Sequence, residues 1–321
     1  MTEQEIREAL PTQAVGRVKS VSLKDQTATL VVDASGLSRE QAERLEADIR
    51  SHLERLEGIA TARVALMADK VTRRIVAVGS GKGGVGKSTL TANLAVALAR
   101  MGRKIGVVDA DIYGPSIPML LDAENQRPQA REQTLLPVES EFGVKLLSMG
   151  QLVEPGRAIA WRGPMVGSAL GQMMDADWGD AELLLVDLPP GTGDVQLTML
   201  QKFRPAGAMI VTTPQDLALI DATRALNLFK QGGVPIIGVV ENMAGYVCPH
   251  CGEVSDPFGS GGAEAAARAM GEQFLGRVPL AIEIRIASDA GQPPAAGDSA
   301  QGRAFAAIAE RLSDWLDRGA R

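Results

Sequence analysis

Length, composition and charge limit the kinds of protein that this sequence of 321 residues encodes. Hydrophobic residues make up 45% and charged residues 22% of the chain, a balance typical of globular proteins and not of disordered or collagen-like ones. The length predicts about two domains. A net charge of -6 and an aromatic content of 3% argue against bulk attraction to nucleic acid or anionic lipid and against base-stacking surfaces. We therefore predict no nucleic-acid partner and no membrane partner.

The start of the sequence and its cysteines indicate the compartment. The segment MTEQEIREALPTQ is polar and acidic, without the basic and apolar regions of a signal peptide. No segment approaches the roughly 18 apolar residues that a membrane-spanning helix needs. Two cysteines, Cys248 and Cys251, are present, too few for a disulfide framework. We therefore predict a cytoplasmic protein in which the cysteine pair has a chemical role.

Residues 1–70 are predicted to form a small α+β domain with a helix, two strands, a long amphipathic helix and a third strand. The long helix is predicted to begin after Ser38, which with Gln41 forms a capping box, and to end at Gly58. Its apolar residues recur at helical spacing and predict a buried stripe: Leu45, Ile49, Leu53 and Leu56. His52 lies beside this stripe without a second metal-ligating residue at suitable spacing, so we predict an ordinary surface or boundary role.

Residues 71–321 are predicted to form an α/β domain with a doubly wound, mostly parallel sheet. The evidence is a series of short apolar runs separated by helical segments: IVAVGS, KIGVVDA, LLLVDLPP, GAMIVTTP and PIIGVVEN. Runs that are apolar at successive positions are typical of strands covered on both faces. In such sheets, ligands bind at the carboxyl ends of the strands, which is where the polar clusters of this sequence fall.

The first run leads directly into a phosphate-binding loop. Residues 81–89 read GKGGVGKST and are followed by a predicted helix, which fits the pattern G-x-x-x-x-G-K-[ST] in its required context. Lys87 is predicted to reach the terminal phosphates and Ser88 to bind Mg²⁺. The alternative is a glycine-rich turn with an incidental lysine. The predicted nucleotide-binding residues are Gly81, Lys82, Gly83, Gly84, Val85, Gly86, Lys87, Ser88 and Thr89.

Aspartates follow two other predicted strands. KIGVVDA ends near Asp109 and Asp111, and LLLVDLPPGTGD contains Asp187 and Asp194. A carboxylate at a strand end that faces a phosphate loop is suited to hold hydrated Mg²⁺, although an isolated aspartate there often caps a helix or turn. We predict that Asp187 and Asp109 belong to a magnesium site. Gly191 and Gly193 are predicted to offer main-chain N–H groups to the terminal phosphate.

The cysteines form a C-x-x-C turn, Cys248-Pro249-His250-Cys251-Gly252. A closed zinc or [4Fe-4S] site needs four ligands, and one chain supplies two thiols. Four alternatives remain open: a cluster that bridges two copies of the chain, a bridging zinc ion, a redox disulfide, or an inert buried pair. His250 is not predicted to be a ligand, because its neighbours already supply the compact pair.

These motifs together resemble the Mrp/ApbC family of iron–sulfur cluster carrier ATPases over about residues 70–300. The motifs are GKGGVGKST, DADIYGPSIP, WRGPM, DLPPGTGD, TTPQ and ENMAGYVCPHCG. The resemblance implies a homodimer, ATP and Mg²⁺ in each subunit, and slow ATP hydrolysis. It also implies a labile [4Fe-4S] cluster that is bridged by Cys248 and Cys251 of two subunits and passed to apo-proteins, and it suggests cluster scaffolds as further partners.

The resemblance also implies individual roles. GKGGVGKST is similar to the deviant Walker A motif of the SIMIBI class, in which the extra lysine, here Lys82, reaches the partner's nucleotide. Lys82, Lys87 and Asp111 are the implied catalytic residues, with Asp111 orienting the attacking water. Asn242 is expected to bind adenine, with Pro279 beside the ring. Residues 1–70 resemble a small assembly domain but lack its Asp-Pro and its cysteine, so we expect a docking or regulatory role there.

The chief alternative function is a MinD- or ParA-like positioning ATPase with a structural zinc or a redox C-x-x-C. A MinD-like protein needs a basic amphipathic tail, but the polar face of residues 303–321 mixes acidic and basic side chains, so we predict that this helix packs on the core. The net charge and the CPHC segment argue against a ParA-like function. A nitrogenase-type electron donor would use cysteines far apart in sequence. A scaffold that does not hydrolyse ATP would be excluded by measurable turnover.

Overall fold

The computed structural model describes residues 2–34, 37, 39–67, 73–132, 134–152, 163–248 and 250–319. The chain divides into two compact units, Met1–Thr72 and Arg73–Arg321. Among the described residues, no helix has both the length and the apolar character needed to cross a membrane. Ser38, Pro249 and the first two residues of the WRGPM motif lie outside the described residues.

The first unit is a three-stranded sheet with two helices. Strands β1 and β2 are antiparallel, whereas β2 and β3 are parallel, and Leu45, Ile49 and Leu53 of the second helix are buried. The predicted element order is confirmed: α1 (Glu3–Glu8), β1 (Val18–Lys24), β2 (Thr27–Asp33), α2 (Arg39–Leu53) and β3 (Thr61–Met67). His52 is exposed, as predicted.

Helix α2 ends earlier than its sequence predicts. Its last residue is Leu53 instead of a residue next to Gly58. Beyond it, the N–H groups of Arg55 and Leu56 donate to carbonyl groups three residues back, so the chain tightens into turns and leaves the helix. Gly58 has φ +96° and reverses the chain after these turns.

The second unit contains an eight-stranded sheet in the order β15-β12-β11-β4-β10-β5-β9-β8. Neighbouring strands are parallel except for β8 and β9, and two antiparallel hairpins, β6-β7 and β13-β14, lie outside it. The strands are β4 (Arg74–Ser80), β5 (Ile105–Asp109), β6 (Gln129–Arg131), β7 (Thr134–Leu136), β8 (Val138–Glu139), β9 (Val144–Ser148), β10 (Leu183–Asp187), β11 (Gly207–Thr212), β12 (Ile236–Glu241), β13 (Tyr246–Val247), β14 (Val254–Ser255) and β15 (Phe274–Arg277).

Helices cover both faces of this sheet, which confirms the predicted doubly wound fold. Val76 and Val78 of β4 belong to one core cluster and Ala77 to the other, because successive strand residues point to opposite faces. The helices are α3 (Lys87–Arg100), α4 (Ile117–Leu120), α5 (Gly163–Met174), α6 (Asp194–Thr198), α7 (Asp216–Gln231), α8 (Gly262–Ala269), α9 (Ile282–Asp289) and α10 (Ala300–Arg318).

Helix α10 packs on the core, as its mixed charges predict. Its apolar stripe, which includes Phe305, Leu312 and Leu316, is buried. On its polar side, Asp317 accepts a hydrogen bond from Nη2 of Arg103 at 2.6 Å. This stripe is therefore covered by the protein's own core.

Candidate functional site

The phosphate-binding loop joins β4 to α3 at the carboxyl edge of the sheet, as predicted. Gly84 and Gly86 have φ values of +76° and +79°, a region that favours glycine. A Cβ atom on Gly81 would lie 2.0 Å from the carbonyl carbon of Asp221 in α7, so the loop starts directly against that helix. The N-terminus of α3, at Lys87, carries the partial positive charge that favours a phosphate.

A buried cluster of polar side chains lies beneath this loop. The Lys87 ammonium is 2.7 Å from Oδ2 of Asp187, and Ser88 donates its hydroxyl hydrogen bond to the same oxygen at 2.5 Å. Thr91 donates to Oδ1 of Asp187 at 2.8 Å. Sequence reasoning missed Thr91, although it lies one helical turn after Lys87 and therefore on the same face of α3. The cluster brings together the predicted phosphate lysine, hydroxyl and metal carboxylate.

Asp111 and Asp109 approach this cluster from β5. Oδ2 of Asp111 lies 3.9 Å from the Lys87 ammonium. Asp109 accepts hydrogen bonds from the Ser148 hydroxyl at 2.9 Å and from the main-chain N–H groups of Asp111 and Ile117 at 3.2 Å. Burial, followed by the negative charge of Asp187, raises the pKa of Asp109 to about 7. Asp109 therefore anchors the ends of two neighbouring segments, and its role at a magnesium ion stays a prediction.

Lys82, the additional lysine of the loop, contacts its own subunit. Its half-buried side chain donates a hydrogen bond to Oε1 of Gln215 at 3.3 Å. Nearby, the N–H group of Gly191 donates to the carbonyl oxygen of Ser80 at 2.9 Å, and Gly193 is the N-cap of α6. The loop after β10 is therefore tied to the end of β4, next to the phosphate loop.

A cavity of about 300 Å³ adjoins the phosphate loop. Gly86, Asn242 and Pro279 contribute to its lining, together with Met243 and Leu280. The structure therefore brings the predicted base-binding residues Asn242 and Pro279 to one cavity beside the loop. Its volume lies in the lower part of the range of small-molecule sites.

The cysteines lie at the tip of the β13-β14 hairpin. Cys248 donates its N–H to the carbonyl oxygen of Glu253, and Gly252 donates to that of Cys248, both at 2.9 Å. The N–H group of Cys251, then that of His250, and then the Cys251 side chain lower the pKa of the Cys248 thiol. Both cysteines are free thiols, and Cys251 is exposed. Within the described ranges, no three His, Cys, Asp or Glu side chains are grouped as a metal site.

The cysteine hairpin and the cavity share one stretch of main chain. After Asn242, the N–H of Ala244 donates to the carbonyl oxygen of Val278 at 3.0 Å, and the N–H of Leu280 donates to that of Gly245 at 2.9 Å. Tyr246 of β13 forms a parallel bridge with Leu280. The segment that lines the cavity therefore continues directly into the hairpin.

A glycine-rich loop between a central parallel strand and a helix, with a strand-end aspartate beneath it, defines a P-loop NTPase. Residues 71–313 match the family described as ParA: NUBPL iron-transfer P-loop NTPase, and the chain belongs to this family. This membership confirms the resemblance inferred from the motifs.

Individual proteins support the same classification. The chain is 45% identical over 259 residues to an iron-sulfur cluster carrier protein of Methanocaldococcus jannaschii, covering 80% of this chain and 89% of that protein. It is 41% identical over 315 residues to the protein of the same name from Deinococcus radiodurans, covering 94% and 89%. A nucleotide-binding protein from Archaeoglobus fulgidus, solved in complex with ADP, is 39% identical with a TM-score of 0.61, covering 68% of this chain and 86% of that one.

Proposed function

We propose that this protein binds and hydrolyses ATP and carries a labile [4Fe-4S] cluster between two copies of the chain for transfer to apo-proteins. The observation that carries the proposal is the combination, in one unit, of a P-loop with a C-x-x-C hairpin that continues from its nucleotide cavity. The names of the relatives and of the family, which describe iron–sulfur transfer, support the same function.

The geometry of Asn242 supports ATP as the nucleotide. Its amide group donates from Nδ2 to the main-chain oxygen of Val85 at 2.7 Å, so Oδ1 and the second N–H of the amide are the groups that a base could contact. Adenine presents an amino group where guanine presents a carbonyl oxygen. We therefore propose that Oδ1 of Asn242 accepts a hydrogen bond from the adenine amino group, which guanine could not donate from that ring position.

The residues beneath the loop are suited to Mg²⁺-dependent hydrolysis. Ser88 and Asp187 supply hydroxyl and carboxylate oxygens, the ligands that Mg²⁺ prefers, and together they would hold the ion, with Asp109 supporting it from the neighbouring strand. When bound, Mg²⁺ neutralises phosphate charge. Lys87 binds the terminal phosphates, and Asp111 orients the attacking water. Lys82 reaches the nucleotide of the second subunit and stabilises charge on the transferred phosphoryl group.

The cysteine hairpin is suited to a shared cluster. Each chain supplies Cys248 and Cys251, so two chains supply the four thiolates of a [4Fe-4S] cluster. The lowered pKa of Cys248 favours the thiolate, which is the form that binds metal. Because Cys251 is exposed at the tip of the hairpin, a second copy can approach the pair and an apo-protein can receive the cargo.

Anaerobic reconstitution with iron and sulfide tests this function. The parent should take up about four irons and four sulfides per dimer, with the absorbance of a [4Fe-4S] cluster, and should transfer them to an apo-acceptor. Cys248→Ala and Cys251→Ala should each abolish uptake, because one substitution removes two ligands from a two-fold symmetric site. ATP binding should survive in both variants.

A matched control and a competing metal complete the test. His250→Ala, at the same turn, should retain the cluster, since His250 is not assigned as a ligand. Stoichiometric zinc without iron uptake would contradict the proposal and favour a structural metal. Retention of the cluster by either cysteine variant would exclude the bridging arrangement, and the absence of ATP turnover would remove hydrolysis from the proposed function.

A further inference from the structure

The TTPQ segment, residues 212–215, is a prominent motif of this sequence that the proposed function leaves without a role. It connects β11 to α7: Thr212 is the last residue of β11, and Gln215 is the N-cap residue of α7. Oε1 of Gln215 accepts hydrogen bonds from the Lys82 ammonium at 3.3 Å and from the Thr213 hydroxyl at 2.9 Å. The segment therefore supplies an acceptor for the additional lysine of the P-loop.

The position of this acceptor is fixed by its surroundings. Thr213 is buried, and its hydroxyl orients the Gln215 amide. A Cβ atom on Gly262, at the start of α8, would lie 2.6 Å from the carbonyl oxygen of Pro214, so α8 packs closely against the turn. The main-chain oxygen of Gln215 accepts hydrogen bonds from the first turn of α7. The lysine side chain, with four rotatable methylene groups, is the mobile partner in this contact.

The acceptor is neutral, and this limits how strongly it holds the lysine. Lys87 of the same loop pairs with two carboxylates, whereas the acceptor that the Lys82 ammonium contacts is the uncharged amide oxygen of Gln215. A hydrogen bond from an ammonium group to a neutral amide is weaker than one to an anion. Phosphate oxygens of a nucleotide therefore compete well against Gln215 for Lys82.

We propose that Gln215 is a positioning residue that holds Lys82 on its own subunit until two nucleotide-loaded copies meet. The inference rests on the proposed function, in which Lys82 reaches the partner's nucleotide. On association, the ammonium exchanges the Gln215 amide for phosphate oxygens across the interface. Release of the lysine requires the free energy to break its hydrogen bond with Gln215. Hydrolysis is therefore delayed until the partner's nucleotide is in place and can replace that bond.

Two substitutions at Gln215 should change the behaviour of Lys82 in opposite directions. Gln215→Leu removes the acceptor, so Lys82 should react faster with an amine-labelling reagent in the nucleotide-free protein, by about three- to tenfold. Half-maximal ATP turnover should then occur at a lower protein concentration. Gln215→Glu replaces the amide with a carboxylate, so labelling should slow and the required protein concentration should rise by a similar factor.

Further variants separate this effect from damage to the fold. Thr213→Val removes the second hydrogen bond to Oε1 and should shift both measurements in the same direction as Gln215→Leu, by less. Gln231→Leu and Gln231→Glu, at the exposed opposite end of α7, are matched controls that should leave both measurements at parent values. In a Lys82→Ala background, the Gln215 substitutions should no longer shift the concentration dependence of turnover.

The outcomes distinguish this inference from the function on which it rests. Equal labelling of Lys82 in the parent, Gln215→Leu and Gln215→Glu would overturn the inference, as would turnover that shifts in the same direction in both Gln215 variants. Parent-like turnover in Lys82→Ala would instead remove the proposed catalytic role of Lys82. In that case the labelling rates would still decide whether Gln215 holds the lysine.

Discussion

Asn242 donates a hydrogen bond from Nδ2 to the main-chain oxygen of Val85 at 2.7 Å, across 157 residues of sequence. The same amide nitrogen lies so close to Gly86 that a Cβ atom there would be 2.1 Å from it. Asn242 therefore supports the phosphate loop in addition to lining the cavity where a base would bind. Substitution of Asn242 should therefore weaken binding of the phosphates as well as binding of the base.

Asn242→Ala should weaken binding of both ATP and inorganic tripolyphosphate, the latter by about two- to tenfold, because the loop loses one supporting hydrogen bond. Isothermal titration calorimetry with each ligand measures the change in affinity for ATP and for tripolyphosphate separately. Leu280→Ala, which trims another side chain of the same cavity, should weaken ATP and spare tripolyphosphate. Parent-like affinity of Asn242→Ala for tripolyphosphate would restrict Asn242 to base recognition.

Lys87→Ala should abolish ATP binding and destabilise the nucleotide-free fold. Asp187 is completely buried, and removal of its partner leaves an uncompensated charge, at a cost of about 3–5 kcal/mol in the free energy of unfolding. Urea unfolding and fluorescent-nucleotide titration give the two quantities. Lys82→Ala should instead retain most of the affinity while lowering turnover, so identical behaviour of the two lysine variants would contradict the separate roles.

Asp111→Asn and Asp187→Asn should fail at different stages of the reaction. Asp111→Asn should keep ATP and Mg²⁺ bound but slow the chemical step by about 10²- to 10⁴-fold, the usual contribution of a group that positions or deprotonates a nucleophile. Asp187→Asn should raise the Mg²⁺ concentration required for half-maximal turnover. Single-turnover rates measured over a Mg²⁺ titration check both expectations. Equal losses of nucleotide affinity in both variants would remove this distinction.

Gly81→Ala should destabilise the fold, because the new methyl group would lie 2.0 Å from the main chain of Asp221. Steric overpacking of this kind typically costs about 1–3 kcal/mol, and more where main chain must move. Gly83→Ala is the matched control in the same loop, since its Cβ atom would meet its nearest neighbour, Pro190, at 3.8 Å. The midpoints of thermal unfolding of the two nucleotide-free variants measure the difference. Equal midpoints would mean that α7 shifts to make room for the methyl group.

The fold and the phosphate loop could be predicted because their signals are local in sequence. The strand, the glycine-rich loop and the helix of residues 74–100 follow one another directly, so the motif and its context are read together. The five apolar runs likewise identified strands β4, β5, β10, β11 and β12. Short strands such as β9, with Lys145 and Ser148 among its five residues, lack the continuous apolar character that revealed the others.

The sequence predicted that Asp109 and Asp187 share one site, but not the individual contacts between distant segments that form it. Ser148, Asp109 and Asp187 lie side by side because β9, β5 and β10 pair in that register. Strands that are buried on both faces carry no alternating pattern that would fix their register from the sequence. The contact from Lys82 to Gln215 likewise joins the phosphate loop to a turn 133 residues away. Residue types predicted the chemistry of the site, whereas strand order and register determined which side chains meet.

The buried pair of Lys87 and Asp187 has a consequence for how the nucleotide enters. Before binding, the Lys87 ammonium neutralises the Asp187 carboxylate, and Asp111 lies 3.9 Å from the same ammonium. An ATP molecule without its metal would draw the lysine toward phosphate and leave the buried Asp187 carboxylate without a counter-charge, which is costly. The magnesium complex would bring anionic phosphate for the lysine together with a divalent cation for the aspartate, so that both side chains could exchange partners. We therefore expect the resting ion pair to favour entry of the nucleotide together with its cation over entry of the metal-free nucleotide.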